Sequence, residues 1–192
     1  MKIYFNSTPL GKEEGLDKNY EAICKALKAL DHEVISDSVM RVDIDKLHRE
    51  THQEAVSYYK KMVQQINIAD IVVLEVSRHS TGIGHQASLA LSAGKPLIAL
   101  HLEGRSPYIF KGIQDERLIL VSYELKNAKD VLADSIDYAQ GLMDVRFNFF
   151  ISPKIQRYLD WVSKYRRTPR AVYLRELLER DMNENKDWKK QK

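Results

Sequence analysis

Residues 69–84, ADIVVLEVSRHSTGIG, decide the fold. Ile71-Val-Val-Leu74 is an unbroken apolar run, which is how a strand covered by helices on both faces of a parallel sheet reads. The glycine-bounded stretch 77–84 reads as the loop at that strand's carboxyl end, with a helix over 85–93 after it. Working outward, residues 2–5 form a β-rich run that stops at the turn-prone Asn6-Ser-Thr-Pro9, and Leu16, Tyr20, Ile23, Leu27 and Leu30 then recur at helical spacing. A second strand is predicted over 33–36. A helix follows over 45–67, through Leu47, Ala55, Tyr58, Tyr59, Met62, Val63 and Ile66. Further strands are predicted over 96–100 and 118–121, and a closing helix over 126–143. This alternation predicts an α/β sandwich with its ligand at the carboxyl ends of the strands. Three loops, 6–15, 77–84 and 101–112, converge there. Thr81-Gly-Ile-Gly84 before a helix leaves backbone amides for an anion, although the same pattern also serves a plain strand-to-helix connection.

Composition divides the chain. Among 192 residues, positions 145–192 carry 13 of the 30 lysines and arginines but 6 of the 27 acids, a net of +7 against −4 for the first 144. An overall +3 therefore hides two opposite halves, and the basic half suggests a polyanion partner. The lone cysteine, Cys24, cannot form an intrachain disulfide. No apolar run approaches the roughly 20 residues of a membrane span, and the opening residues lack the apolar region of a signal peptide. The expectation is a cytoplasmic protein without a membrane partner.

In order and spacing, Lys2-Ile-Tyr-Phe5, Ala69 through Ser77, Ser80-Thr-Gly-Ile-Gly84 and Gly94-Lys-Pro-Leu-Ile98 resemble the nucleoside 2-deoxyribosyltransferase family. They are most similar to its 2'-deoxynucleoside 5'-phosphate N-hydrolase branch. The resemblance covers about residues 1–125, with late counterparts around Lys111-Gly112 and Tyr123. It implies a flavodoxin-like (Rossmann-like) α/β sandwich over 1–143, usually dimeric, that binds a nucleoside or nucleotide without a cofactor. It also implies ligand contacts from Phe5, Ser7, Glu75, Ser80, Gly82, Gly84, His85, Gln86 and Gly112. In that family a glutamate two residues after the second glycine attacks the anomeric carbon. Here that place is Gln86, and a neutral amide is a far poorer nucleophile than a carboxylate. The aspartate that the family tends to carry in the preceding helix is also missing, with Met62 and no neighbouring acid there. Glu75 is the candidate substitute, with Glu103 as another shifted acid.

From Val145 the text VRFNFFI alternates, with Phe147, Phe149 and Ile151 on one face and Arg146, Asn148 and Phe150 on the other. Ser152-Pro153 supplies a cap and a first-turn proline for a helix built on Ile155, Tyr158, Leu159 and Val162 and ending near Tyr165. Thr168-Pro169 repeats the device before Ala171, Leu174, Leu178 and Met182. Residues 145–183 resemble the ribbon-helix-helix (β-α-α) regulators. Such a module pairs its strand with that of a second subunit, giving a homodimer or higher even oligomer on double-stranded DNA. By position, Arg146, Asn148 and Phe150 would face bases, while Arg167, Thr168 and Arg170 would hold the backbone. Residues 184–192 read as a flexible basic tail.

His48 and His52 are four apart but complete no metal site, and no metal is expected. His79, His85 and His101 lie in or beside the predicted edge loops. The functional expectation is a DNA-binding, ligand-responsive transcription regulator with a catalytically degenerate nucleotide domain. The alternatives are an active deoxyribosyltransferase or deoxynucleoside monophosphate N-glycosidase with a C-terminal dimerisation module, and a scaffold that binds neither DNA nor nucleotide.

Overall fold

A computed structural model describes residues 1–36, 51–143 and 150–189, and the chain divides into two compact units, Met1–Asp144 and Val145–Lys192. The first unit runs β1 (Lys2–Asn6), a 3-10 turn (Pro9–Glu14), α1 (Asp17–Ala29), β2 (Glu33–Ile35), α2 (His52–Ile68), β3 (Ile71–Glu75) and α3 (Thr81–Ser92). It continues with β4 (Leu97–Leu102), a short α4 (Tyr108–Lys111), β5 (Leu118–Tyr123) and α5 (Ala128–Gly141). The strands form a five-stranded, wholly parallel sheet in the order β2-β1-β3-β4-β5. The expected α/β sandwich is thus what forms.

Strand parity sorts the core into two layers. Ile3, Phe5, Ile71 and Val73 pack under α1 and α5 with Ile23, Leu27, Leu132 and Ile136. Tyr4, Val72 and Leu74 pack under α2 and α3 with Met62, Ile66, Ile83 and Ala87. Every residue of β3 is buried, as its unbroken apolar text requires. The order reverses between β1 and β3, because β2 lies on one side of β1 and β4 on the far side of β3. At such a reversal the connections leave to opposite faces and open a crevice at the strand ends.

Several boundaries differ from the sequence reading. The helix expected from residue 45 begins at His52, because Thr51 is extended and forms a capping box with Glu54; residues 45–50 lie outside the described residues. The loop expected over 77–84 is shorter, since α3 starts at Thr81 under an Ser80 cap, and Gly82 and Gly84 stand inside its first turn. The loops 6–15 and 101–112 hold the 3-10 turn and α4 respectively. In the closing helix, α5 is confined to Ala128–Gly141.

The second unit contains α6 (Pro153–Tyr165), α7 (Arg170–Glu184) and a terminal turn, α8 (Lys186–Lys189). Ser152 caps α6 by accepting from the Ile155 amide, with Pro153 in the first turn, as its sequence indicates. The repeated device fails at α7. Pro169 is its cap residue, and Thr168 Oγ1 donates instead to the Arg166 carbonyl. Arg167 there adopts a positive φ of 54°. Within the stretch 184–192, read from sequence as a flexible basic tail, Lys186–Lys189 form a helical turn, with Asn185 accepting from the Asp187 and Trp188 amides; residues 190–192 lie outside the described residues. Of the expected ribbon, 145–149 lie outside the described residues, Arg146 and Asn148 among them, while Phe150 and Ile151 are exposed and unpaired in any strand. Among the described residues Leu159 and Val162 are this unit's buried apolar side chains, whereas Leu178 and Met182 are exposed.

Candidate functional site

Two clusters of buried polar groups stand at the carboxyl edge of the sheet, one on each face. On the α2/α3 face, Gln86 is 4% exposed, and its Oε1 accepts from the Tyr4 hydroxyl at 3.0 Å and from Asn6 Nδ2 at 2.8 Å. Asn6 Nδ2 also reaches the Tyr4 hydroxyl at 3.0 Å, and Asn6 Oδ1 accepts from the Ser7 amide at 2.9 Å. The acceptor of the Gln86 amide is therefore engaged by two donors. An ionised carboxylate oxygen in the same place would be held by the same pair.

On the α1/α5 face, Glu75 ends β3 fully buried. Its Oε1 accepts a short bond from Ser77 Oγ and a longer one, 3.3 Å, from the Tyr123 hydroxyl. Its Oε2 is buried without a hydrogen-bond partner among the described residues. Burial raises the Glu75 carboxyl above the usual carboxylate range, against the lowering effect of the Ser77 and Tyr123 donors and of Arg105. The same environment pushes the Tyr20 hydroxyl up to about 12 through burial and raises Tyr123 further still. Parity explains why the two clusters are separate: Glu75 follows Ile71 and Val73 toward Tyr123, whereas Gln86 meets Tyr4 on the opposite face. Ser7 links them, donating weakly at 3.5 Å to the Glu75 carbonyl while its amide holds Asn6.

Above the edge, one acid ties the loops together. Glu14, at the end of the 3-10 turn, lies 3.0 Å from Arg78 Nε in the β3–α3 connection and 2.5 Å from an Arg105 amino group after β4. Gly15, at φ 76°, ends the 3-10 turn in the left-handed region, and Gly104, at φ 80°, makes the turn that brings the Arg105 amide onto the Leu102 carbonyl. The Arg105 hydrogen bond holds the Glu14 carboxyl below its ordinary range.

Of the residues that sequence nominated, Ser7, Glu75, Ser80 and Gln86 converge at this edge. Phe5 is buried in the α1/α5 core, and the polar groups beside it come from Tyr4 and Asn6. His85 is exposed, stacked on Tyr59 at 5.8 Å between ring centres with its Nε2 3.4 Å from the Tyr59 hydroxyl. His79 tilts against Tyr108 at 5.2 Å. His101 Nδ1 meets the carbonyl of Leu102. Gly112 closes α4 in an ordinary right-handed conformation, and Glu103 is exposed. Sequence reasoning missed Tyr4, Asn6, Ser77, Arg78, Arg105 and Glu14 as site members. Strand parity could have found Tyr4, and the placement of both arginines in edge loops was a readable signal.

In the second unit, Arg170 pairs with Asp160, and Arg166 lies over the Trp161 and Tyr173 rings at 5.7 and 5.8 Å. Two of the three arginines of the basic turn, Arg166 and Arg170, are therefore partly engaged within the unit. Among the described residues no group of three or more His, Cys, Asp or Glu is arranged to hold a metal, and no helix is long and apolar enough to cross a membrane.

No family model matches the chain. It is similar to a protein of Thermofilum pendens named "Putative 2'-deoxynucleoside 5'-phosphate N-hydrolase 1", at 28% identity over 145 residues, 71% of this chain and 99% of the relative. A protein of Methanococcoides burtonii with the same name is 24% identical over 102 residues, 53% of this chain and 81% of the relative. Among solved structures, a CMP N-glycosidase of Clostridium botulinum, BcmB, aligns with a TM-score of 0.49 at 16% identity, covering 69% of this chain and 98% of that one.

Proposed function

We propose that the first unit is an N-glycosidase for 2'-deoxynucleoside 5'-monophosphates, with Glu75 as its acid–base group. The observation that carries this reading is the buried Glu75 carboxyl with one unpartnered oxygen, at the carboxyl end of the strand beside the order reversal. Similarity to relatives named as N-hydrolases, over nearly the whole length of one of them, supports the substrate class. A carboxyl raised by burial keeps its proton to higher pH than an exposed one, a shift in the direction that general acid–base catalysis uses. In the proposed reaction, water attacks the anomeric carbon, a C–O bond forms and the C–N bond breaks. Glu75 Oε2 takes the proton lost by water and returns it to the departing base. Gln86, whose carbonyl is engaged by Tyr4 and Asn6, presents its amide hydrogens to a ligand hydroxyl and forms no glycosyl ester. The test is to incubate the protein with each deoxynucleoside monophosphate and quantify free base. Enzyme-like release that Glu75→Gln abolishes, in a folded variant, is the expected result; release equal to the uncatalysed rate refutes it.

A second reading is favoured by Gln86 itself, a locked amide where the resembled family carries its nucleophile. In it the first unit binds the nucleotide without cleaving it, and the second unit, 145–183, is a dimeric ribbon-helix-helix that grips DNA. Arg167, Arg170 and the Arg166 guanidinium cluster about the α6–α7 turn, as phosphate contacts would. The ligand then regulates only by binding the DNA-competent arrangement with unequal affinity. This reading predicts duplex binding whose affinity falls by about 10³-fold or more between 50 and 200 mM salt if six phosphates are contacted. Salt-independent or absent binding eliminates it.

A further inference from the structure

We propose that Arg78 and Arg105 form the grip for the 5'-phosphate of the ligand, and that Glu14 occupies this grip as an internal stand-in when no phosphate is bound. The inference rests on the reading of the strand edge as a nucleotide site and assigns the residues that would select a monophosphate over a free nucleoside.

Three edge segments each contribute one member. Glu14 closes the 3-10 turn after β1, Arg78 follows β3, and Arg105 follows β4. The Glu14 carboxylate offers one oxygen to each guanidinium, at 3.0 and 2.5 Å. Among the described residues the two arginines share a single carboxylate and carry an unbalanced positive charge, and a dianionic phosphate monoester with three terminal oxygens satisfies them better than a monoanion can. The Arg78 end has donor capacity to spare: among the described residues its Nε is buried without a directed hydrogen bond although Glu14 lies beside it. Exchange is feasible because the three side chains remain 42%, 41% and 30% exposed for Arg78, Arg105 and Glu14, and exposed ion pairs add little net stability. The location fits a nucleotide. Arg78 follows the Ser77 that donates to Glu75, and the Arg105 amide bonds the Leu102 carbonyl while the Leu102 amide donates to Ser77, so the cationic pair stands at the rim of the polar edge, where a phosphate attached to a bound sugar would emerge.

Calorimetric titration with deoxycytidine 5'-monophosphate, deoxycytidine and inorganic phosphate tests the grip. The wild-type chain is expected to bind the monophosphate at least tenfold more tightly than the nucleoside. Glu14→Gln removes the competitor, so affinity for the monophosphate and for inorganic phosphate rises several-fold while that for deoxycytidine is unchanged. Arg105→Gln and Arg78→Gln each reduce the monophosphate preference at least tenfold. Arg105→Lys, which keeps the charge but loses the planar fork, gives an intermediate loss in a chain whose melting temperature stays near wild type. A gain in E14Q cannot arise from misfolding, which would weaken every ligand. The grip is overturned if E14Q leaves monophosphate affinity unchanged or lowers it, if the arginine variants weaken nucleoside and monophosphate alike, or if the monophosphate does not bind. Monophosphate preference without base release leaves the grip standing and removes the glycosidase reading. Base release without that preference does the reverse.

Discussion

Replacing Gln86 with glutamate restores a carboxylate where the resembled family carries its nucleophile, and the surroundings allow its effect to be worked through. The two donors that hold the amide, Tyr4 at 3.0 Å and Asn6 at 2.8 Å, suit a carboxylate oxygen. Neutral hydrogen bonds contribute about 1 kcal/mol each and those to a charged acceptor about 1.5–3, so the pair gains roughly 1–4 kcal/mol on ionisation. Burying the charge costs several kcal/mol, which leaves the folded state destabilised by about 1–3 kcal/mol. For a unit of this size that is a melting temperature lower by about 3–10 °C. Because burial raises the new carboxyl above its unfolded value, the loss appears as pH rises past about 4.3 and is absent below it. A carboxylate about 4 Å from an oxocarbenium-like carbon stabilises it by about 4 kcal/mol at an effective dielectric of about 20. Even if half of that survives incomplete ionisation and imperfect placement, base release from deoxynucleoside monophosphates rises by more than about tenfold. The assay is chromatographic quantification of free base at pH 7, with ligand binding measured in parallel. A variant that binds the monophosphate, is folded, and releases base no faster than wild type refutes the placement of Gln86 at the reacting carbon.

Glu75→Gln alters stability in the opposite sense to a paired surface acid. Since burial raises the Glu75 carboxyl, the folded chain retains its proton where the unfolded chain loses it, and wild-type stability declines as pH rises above about 4.3 toward the raised value. The glutamine variant removes that decline, so its melting temperature relative to wild type is more favourable at pH 8 than at pH 4; a constant difference across this range contradicts the assignment. Gly104→Ala meets no atom within 4 Å but must hold φ at 80°, so it costs about 1–2 kcal/mol by chemical denaturation through backbone strain alone. It also weakens monophosphate binding by loosening Arg105, and an unchanged midpoint would show that the turn does not constrain that loop.

The order and packing of the α/β elements were readable in the chain itself, because local pattern and burial coincide there. An apolar run such as Ile71–Leu74 can be stable only between two helical layers, and the Ser152-Pro153 pair can begin a helix with no tertiary help. Helix starts were misplaced where a local hydrogen bond outweighed composition: Ser80 captures the Ile83 amide, and glycines that read as loop are drawn into the first turn of α3. Thr168 failed as a cap because Pro169 holds that place and the threonine hydroxyl found a carbonyl two residues back. Sequence nominated Ser7, Glu75, Ser80 and Gln86, but which partners each one meets was decided by tertiary structure. Register pairs Asn6 with Leu74 and Glu75 with Leu100, and the pleat then sends Glu75 toward Tyr123 and Tyr4 toward Gln86. A sequence shows that both an amide and a carboxylate are present within eleven positions, but strand parity turns Glu75 to one face while α3 carries Gln86 to the other, and likewise only the folded loops bring Glu14 within reach of an arginine 91 residues away.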